Sequence, residues 1–113
     1  MISLAEENYL KSIYHLSQAG SQSVLTNELA EAMNTKAASV TDMIKKLSTK
    51  EFISYEKYYG VNLTTKGKVV ALSVIRKHRL WETFLVEKLG FSWDEVHEVA
   101  EQLEHIQSKR LIE

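Results

Sequence analysis

The stretch VLTNELAEAMNTKAASVTDMIKKLSTKEF, residues 24–52, reads as two short helices that meet at Asn34-Thr35. Thr26 stands where a hydroxyl caps the first helix, and Glu28 places a negative charge in its first turn, against the positive end of the helix dipole. Thr35 stands in the same relation to the second. Leu29, Ala32 and Met33 recur at the spacing of one helical face and match Val40, Met43, Ile44 and Leu47 across the turn. Two helices packed in this way form a helix-turn-helix.

On the C-terminal side, FISYEKYYGVNLTT (residues 52–65) shortens the period from helical to strand-like. It predicts strands at 53–57 and 61–64 around Tyr58-Tyr59-Gly60, with Gly60 supplying the permissive backbone of a hairpin turn. A helix-turn-helix followed by such a hairpin is a winged helix. Upstream, Ser3 and Glu6 have the spacing of a capping box, and Leu4, Leu10, Ile13, Tyr14 and Leu16 continue a helix over 4–18. Downstream, Thr64-Thr65-Lys66-Gly67 opens a helix over 66–89 that buries Val70, Val74, Trp81 and Leu85 and stops at Gly90. Ser92 and Glu95 then form a second capping box for a last helix over 93–107. The expected fold is mainly α, with a winged helix-turn-helix at residues 1–72 and a helical unit at 73–113.

Composition excludes several classes. With 44% hydrophobic and 26% charged residues, the chain is an ordinary globular one. No apolar run reaches the roughly 18 residues that cross a bilayer, and MISLAEENYLKSIYHL lacks a signal-peptide core, so a cytoplasmic protein without membrane partners is expected. Cysteine is absent, which leaves nitrogen and oxygen as ligands for any metal. Charge is unevenly distributed. Residues 36–68 carry seven lysines against three acids, whereas residues 89–108 carry five acids and neither lysine nor arginine. Such a split predicts one anionic and one cationic partner.

For the anionic partner, double-stranded DNA is expected. Lys36, Ala38, Ser39, Thr41 and Asp42 lie near the start of the second helix, off its apolar stripe, where a recognition helix reaches base edges. Lys45, Lys46 and Lys50 follow at positions suited to phosphates, Lys57 and Tyr58 sit on the wing, and Thr26 heads the preceding helix. For the cationic partner, HEVAEQLEH (residues 97–105) is the guide. At about 100° per residue, Val96, Val99, Ala100, Leu103 and Ile106 occupy roughly 120° of arc, and His97, Glu101, Glu104 and His105 fall within roughly 100° beside them. Carboxylates stacked at that spacing repel one another unless a cation lies between them. His78 and Glu82 form a further pair at helical spacing on the preceding helix, so six residues on two helices point to a divalent transition metal.

These elements together, with RKHRLWETFLVEKLGFSWDEVHEVAEQLEH (residues 76–105) at their centre, resemble the diphtheria-toxin-repressor and manganese-transport-regulator family of metal-dependent repressors. The resemblance covers essentially the whole chain. It implies operator binding as a homodimer, with residues 73–113 serving metal binding and dimerisation and no small-molecule substrate or catalytic residue. It also implies one metal site at His78, Glu82 and His97 and a primary site at Glu101, Glu104 and His105. The first helix of the family supplies a further ligand, for which the matching residue is Asn8, a neutral amide; where the manganese type adds a glutamate, Lys11 stands. Glu101 is a manganese-like choice and His97 an iron-like one. Mn²⁺ is therefore the favoured ion and Fe²⁺ the next, with Zn²⁺ or Co²⁺ as substitutes in vitro. Family members continue past this point, so a fragment lacking later helices is implied. Two rivals stay open: a winged-helix regulator indifferent to metal, and a small carboxylate-bridged metalloenzyme.

Overall fold

In the computed structural model, which describes residues 2–56 and 59–107, the helix-turn-helix consists of α2 (Thr26–Ala32) and α3 (Ala37–Thr49). They follow α1 (Leu4–Leu16) and precede the hairpin strands β1 (Ile53–Glu56) and β2 (Gly60–Leu63), then α4 (Thr65–Leu89) and α5 (Trp93–Leu103). The chain divides into two compact units, Met1–Ala71 and Leu72–Glu113.

The core of the first unit is what the apolar periodicities predict. Tyr9, Leu10 and Ile13 of α1 meet Leu29 of α2 and Val40, Ile44 and Leu47 of α3, closed over by Phe52, Ile53, Val61, Leu63 and Ala71. β1 and β2 pair antiparallel, Ile53 opposite Leu63 and Glu56 opposite Gly60. Val24 adds a third backbone segment that the sequence does not announce: its N–H donates to Val61 O at 2.9 Å and Val61 N–H donates back at 2.8 Å. Gly60 belongs to β2 rather than to the turn. Its φ is +99°, and a Cβ there would lie 2.4 Å from Val24 O, so both conformation and space require glycine.

Several element ends differ from the expected ones. α2 is capped by Leu25, whose N–H donates to the Glu28 carboxylate at 3.1 Å, and Thr26 is its first helical residue. Lys36, not Thr35, precedes α3. α1 stops at Leu16 and α5 at Leu103, short of the expected 18 and 107. The helices of the first unit stop in one way. Gln18, Asn34 and Glu51 have φ of 51°, 51° and 65°, and the next N–H reaches back to the carbonyl five residues earlier: Ala19 to Tyr14, Thr35 to Ala30 and Phe52 to Leu47. This is the Schellman closure, which ordinarily uses glycine at the left-handed position. Here α1, α2 and α3 close without it.

Two polar links fasten α3. Lys50 Nζ donates to Glu6 Oε1 at 2.8 Å and lies 2.8 Å from Oε2, while Glu6 also completes the α1 capping box with Ser3. Lys50, though exposed, thus has a carboxylate partner in Glu6. The Thr64 hydroxyl donates to Glu51 O at 2.7 Å and accepts from Gly67 N at 3.1 Å, joining the end of α3 to the start of α4.

In the second unit, Leu85 of α4 packs with Val96 and Ala100 of α5, flanked by Trp81, Val86, Phe91, Val99 and Leu103. Of the residues expected on the buried side of α4, Val74 and Leu85 are buried, and Val70 and Trp81 are half-buried. Ser92 opens α5, its N–H donating to Glu95 Oε1 at 3.2 Å. Trp93 beside it is exposed. No helix among the described residues is long and apolar enough to cross a membrane.

Two stability outcomes follow from these contacts. Glu51→Gly removes a left-handed conformation that costs an L-residue about 1–2 kcal/mol, offset by the roughly 0.5–1 kcal/mol greater chain entropy of glycine, and is expected to raise the melting temperature by a few degrees. No increase on calorimetry would show that Glu51 is not strained. Burial of Glu6 is the largest influence on its carboxyl and pushes its pKa up, but the bonds from Lys50 and Ser3 together outweigh it and hold the pKa below 4.5. A depressed carboxyl contributes stability above its unfolded value, lost as pH falls through the folded one. Lys50→Gln leaves burial less opposed, so the acid-unfolding midpoint, followed by circular dichroism, is expected to move to higher pH.

Candidate metal centre and nucleic-acid face

His78 and Glu82 lie one turn apart on α4, and His97 lies on α5 beyond the bend at Gly90, whose φ of +72° lets the chain reverse. Within this unit the three side chains converge. His78 Nε2 is 3.1 Å from His97 Nδ1 and 3.4 Å from Glu82 Oε1, and His97 Nδ1 is 3.9 Å from Glu82 Oε2. The imidazole rings meet edge to face with centroids 4.7 Å apart. One ligand atom from each residue lies within 4.8 Å of the others. Ligands bonded at about 2.0–2.2 Å to one metal sit roughly 3–3.6 Å from one another. The trio therefore has close to the edge lengths of a coordination polyhedron, with the side chain of His78 buried and that of His97 67% exposed, which leaves an approach from solvent.

The other expected ligands are arranged differently from a single helical face. α5 ends at Leu103, and Glu104 caps it with helical backbone, its N–H bonded to Ala100 O at 2.9 Å. Glu104 is fully buried, whereas His97 and Glu101 on the preceding turns are exposed. Its Oε2 lies 2.6 Å from His78 Nδ1 and its Oε1 3.4 Å from His105 Nε2. Glu101 Oε2 stands 3.9 Å from His97 Nε2. His78 is thus the hub: one ring nitrogen faces Glu82 and His97, and the other faces Glu104. Asn8 sits half-buried on α1 in the first unit.

The candidate nucleic-acid face lies on α3. Val40, Ile44 and Leu47 are buried, which turns Ala38, Ser39, Thr41, Asp42, Lys45 and Lys46 outward with Lys36 at the cap. All seven are exposed. The Thr41 hydroxyl donates to Ala37 O at 3.0 Å, leaving its oxygen as an acceptor. Thr26 is half-buried. Lys57 and Tyr58 lie outside the described residues.

Comparison with known proteins separates the same two regions. Residues 1–61 match the iron-dependent repressor N-terminal DNA-binding domain, and residues 64–113 match the iron-dependent repressor metal-binding and dimerisation domain. The chain belongs to the iron-dependent repressor family. A relative in this family, an uncharacterised HTH-type transcriptional regulator of Methanocaldococcus jannaschii, is 38% identical over 95% of this chain and 86% of its own length. The iron-dependent repressor IdeR of Mycobacterium leprae is 34% identical over 91% of this chain but only 44% of its own. A manganese-dependent transcriptional repressor solved with manganese superposes with a TM-score of 0.80 at 42% identity, over 95% of this chain and 49% of that one. The chain therefore spans about half of each of these two repressors. The resemblance drawn from residues 76–105 and its companions is the family that these matches give, and the mainly α winged-helix class holds with it.

Proposed function

We propose that this iron-dependent repressor family member is a metal-dependent transcriptional repressor, acting in the cytoplasm as a homodimer on operator DNA and responding to Mn²⁺ or Fe²⁺. The observation that carries this reading is the convergence of His78, Glu82 and His97 in a chain whose other unit presents the start of α3 as an exposed polar and basic surface. His78 and His97 would hold the ion through nitrogen and Glu82 through oxygen, a hard-to-borderline set that suits Mn²⁺ and Fe²⁺ and lacks the thiolate that favours softer ions. A bound ion supplies positive charge that draws the carboxylate and the imidazoles of α4 and α5 onto one point. Residues 1–72 would serve as the DNA-binding domain and 73–113 as the metal-binding and dimerisation region, with Glu101, Glu104 and His105 as further ligands. No catalytic step is assigned to these residues.

Lys45 and Lys46 would meet phosphates and fix register, while Lys36, Ser39 and Asp42 would read base edges. Ala38 and Thr41 offer methyl contacts beside them, with Thr26, Lys57 and Tyr58 on the flanks. A ligand shifts a conformational equilibrium only by its differential affinity for the two states. The metal acts as co-repressor to the extent that it binds the DNA-competent arrangement more tightly.

Titration of the purified chain with Mn²⁺, with free ion counted by electron paramagnetic resonance, is expected to show saturable binding of at least one ion per chain. His97→Ala and Glu82→Ala should each remove an ion; unaltered binding in both would rule out this centre and favour a regulator indifferent to metal. For DNA selected from random sequence in the presence of Mn²⁺, Lys45→Ala or Lys46→Ala should weaken binding uniformly and reduce the salt slope by about one each. Exchange of Ser39 and Asp42 should instead alter the preferred sequence. If it changed affinity alone, α3 would not be the reading helix.

A further inference from the structure

We propose that Glu6 is an internal competitor for DNA phosphate: its carboxylate holds Lys50, ends the phosphate-binding surface of α3 at Lys46, and lowers affinity for every DNA sequence alike. The inference rests on the DNA reading above and deepens it by setting the limit of the contact surface.

Position alone would give Lys50 to the DNA. It caps α3, its N–H donating to Lys46 O at 3.1 Å. At about 100° per residue it lies roughly 40° around the helix from Lys46 and roughly 20° from Ser39. The side chain is 41% exposed. Its ammonium, however, is engaged, with Nζ 2.8 Å from each carboxylate oxygen of Glu6. Glu6 is buried, and its place is fixed by the α1 capping box: Ser3 N–H donates to Glu6 Oε1 at 2.9 Å, and Glu6 N–H donates to the Ser3 hydroxyl at 3.1 Å. An ionised carboxylate in such a place needs a cation beside it, and taking that cation away leaves a buried charge uncompensated. One hydrated phosphate, screened by salt, does not offset that cost. Lys50 therefore stays with Glu6 when DNA arrives.

The other lysines of this surface divide in the same way. Lys66 Nζ donates to Lys50 O at 3.0 Å and stands 4.8 Å over the Phe52 ring, so it too is engaged around the C-terminal end of α3. Lys36, Lys45 and Lys46 are exposed and make no ion pair with another described residue. The cations available to a polyanion thus lie toward the reading end of the helix, and the internal carboxylate marks where they stop.

The test measures binding to a mixed-sequence DNA duplex by fluorescence anisotropy across a range of salt, in the presence of Mn²⁺, with circular dichroism to follow folding. It compares the wild-type chain with Glu6→Gln, Lys50→Gln and the double variant. Glutamine serves as well as glutamate at this position of a capping box, so Glu6→Gln releases Lys50 without uncapping α1. Each phosphate neutralised adds about 0.9 to the slope of log affinity against log salt. Glu6→Gln is expected to steepen the slope by about that amount and to bind about 5–10-fold more tightly at about 0.1 M salt. The double variant should return to the wild-type slope, and Lys50→Gln alone should leave it unchanged. A slope shallower by about 0.9 in Lys50→Gln would mean that Lys50 already meets phosphate, and would overturn the inference. An unchanged slope in folded Glu6→Gln would overturn it equally, and if that variant does not fold, Lys50→Gln decides alone. Wild-type chain that binds no duplex at any salt concentration defeats the DNA reading and this inference together, whereas the slope outcomes defeat only the inference.

Discussion

A carboxylate that is wholly removed from water must be met by a donor, and in the second unit that requirement is placed on Glu104 and answered by His78. The apolar core around it is small: Leu85, Val96 and Ala100 are its only fully enclosed members among the described residues. Apolar packing of that size is tolerant of sliding, because aliphatic contacts have little directional preference. The contact between Glu104 and His78 is directional, and it links the end of α5 to α4. Glu82 and His97 then come within ligand range of His78 as a result of where the helices are held.

The first unit solves a different problem, that of exposing a helix without loosening it. α3 gives one face to the core through Val40, Ile44 and Leu47 and turns the other entirely to solvent. Its C-terminal end is tied twice, by Lys50 to Glu6 of α1 and by Glu51 O to the Thr64 hydroxyl that also caps α4. The N-terminal end carries the small polar side chains and has neighbours only on its buried side. Rigid support far from the exposed end leaves that end unobstructed for a partner.

Much of this was legible in the sequence. The helix-turn-helix, the hairpin, the long helix and the capped last helix were all written in apolar period and capping residues, and Ser3 with Glu6 forms the box it predicts. What escaped was carried by features that leave no pattern. The end of α1 was set two residues late because Gln18 occupies a left-handed position where glycine is the usual sign. The contact of Val24 with Val61 involves one residue on its own, too short for any periodicity. In the metal centre, the spacing of His78 and Glu82 and the richness of residues 97–105 in histidine and glutamate were visible, but the division of labour was not. Angles reckoned on an ideal helix group Glu104 with His97 and Glu101, but at about 80° from Val96 it lies nearest the apolar stripe and is buried, whereas the other two are exposed.

The aromatic residues are sorted between the units in a way that has a practical side. Both tryptophans, Trp81 and Trp93, fall in the second unit, and all five tyrosines fall in the first. Trp81 lies on α4 between His78 and Glu82, half-buried and edge to face with Phe84, while Trp93 stands exposed at the start of α5. Indole emission is thus a private optical channel for the half of the chain that carries the histidine cluster, and a paramagnetic ion seated one helical turn from Trp81 lies close enough to quench it. An ion at that cluster would have a fluorescent gauge within its own unit, one that the first unit, lacking indole, does not contaminate.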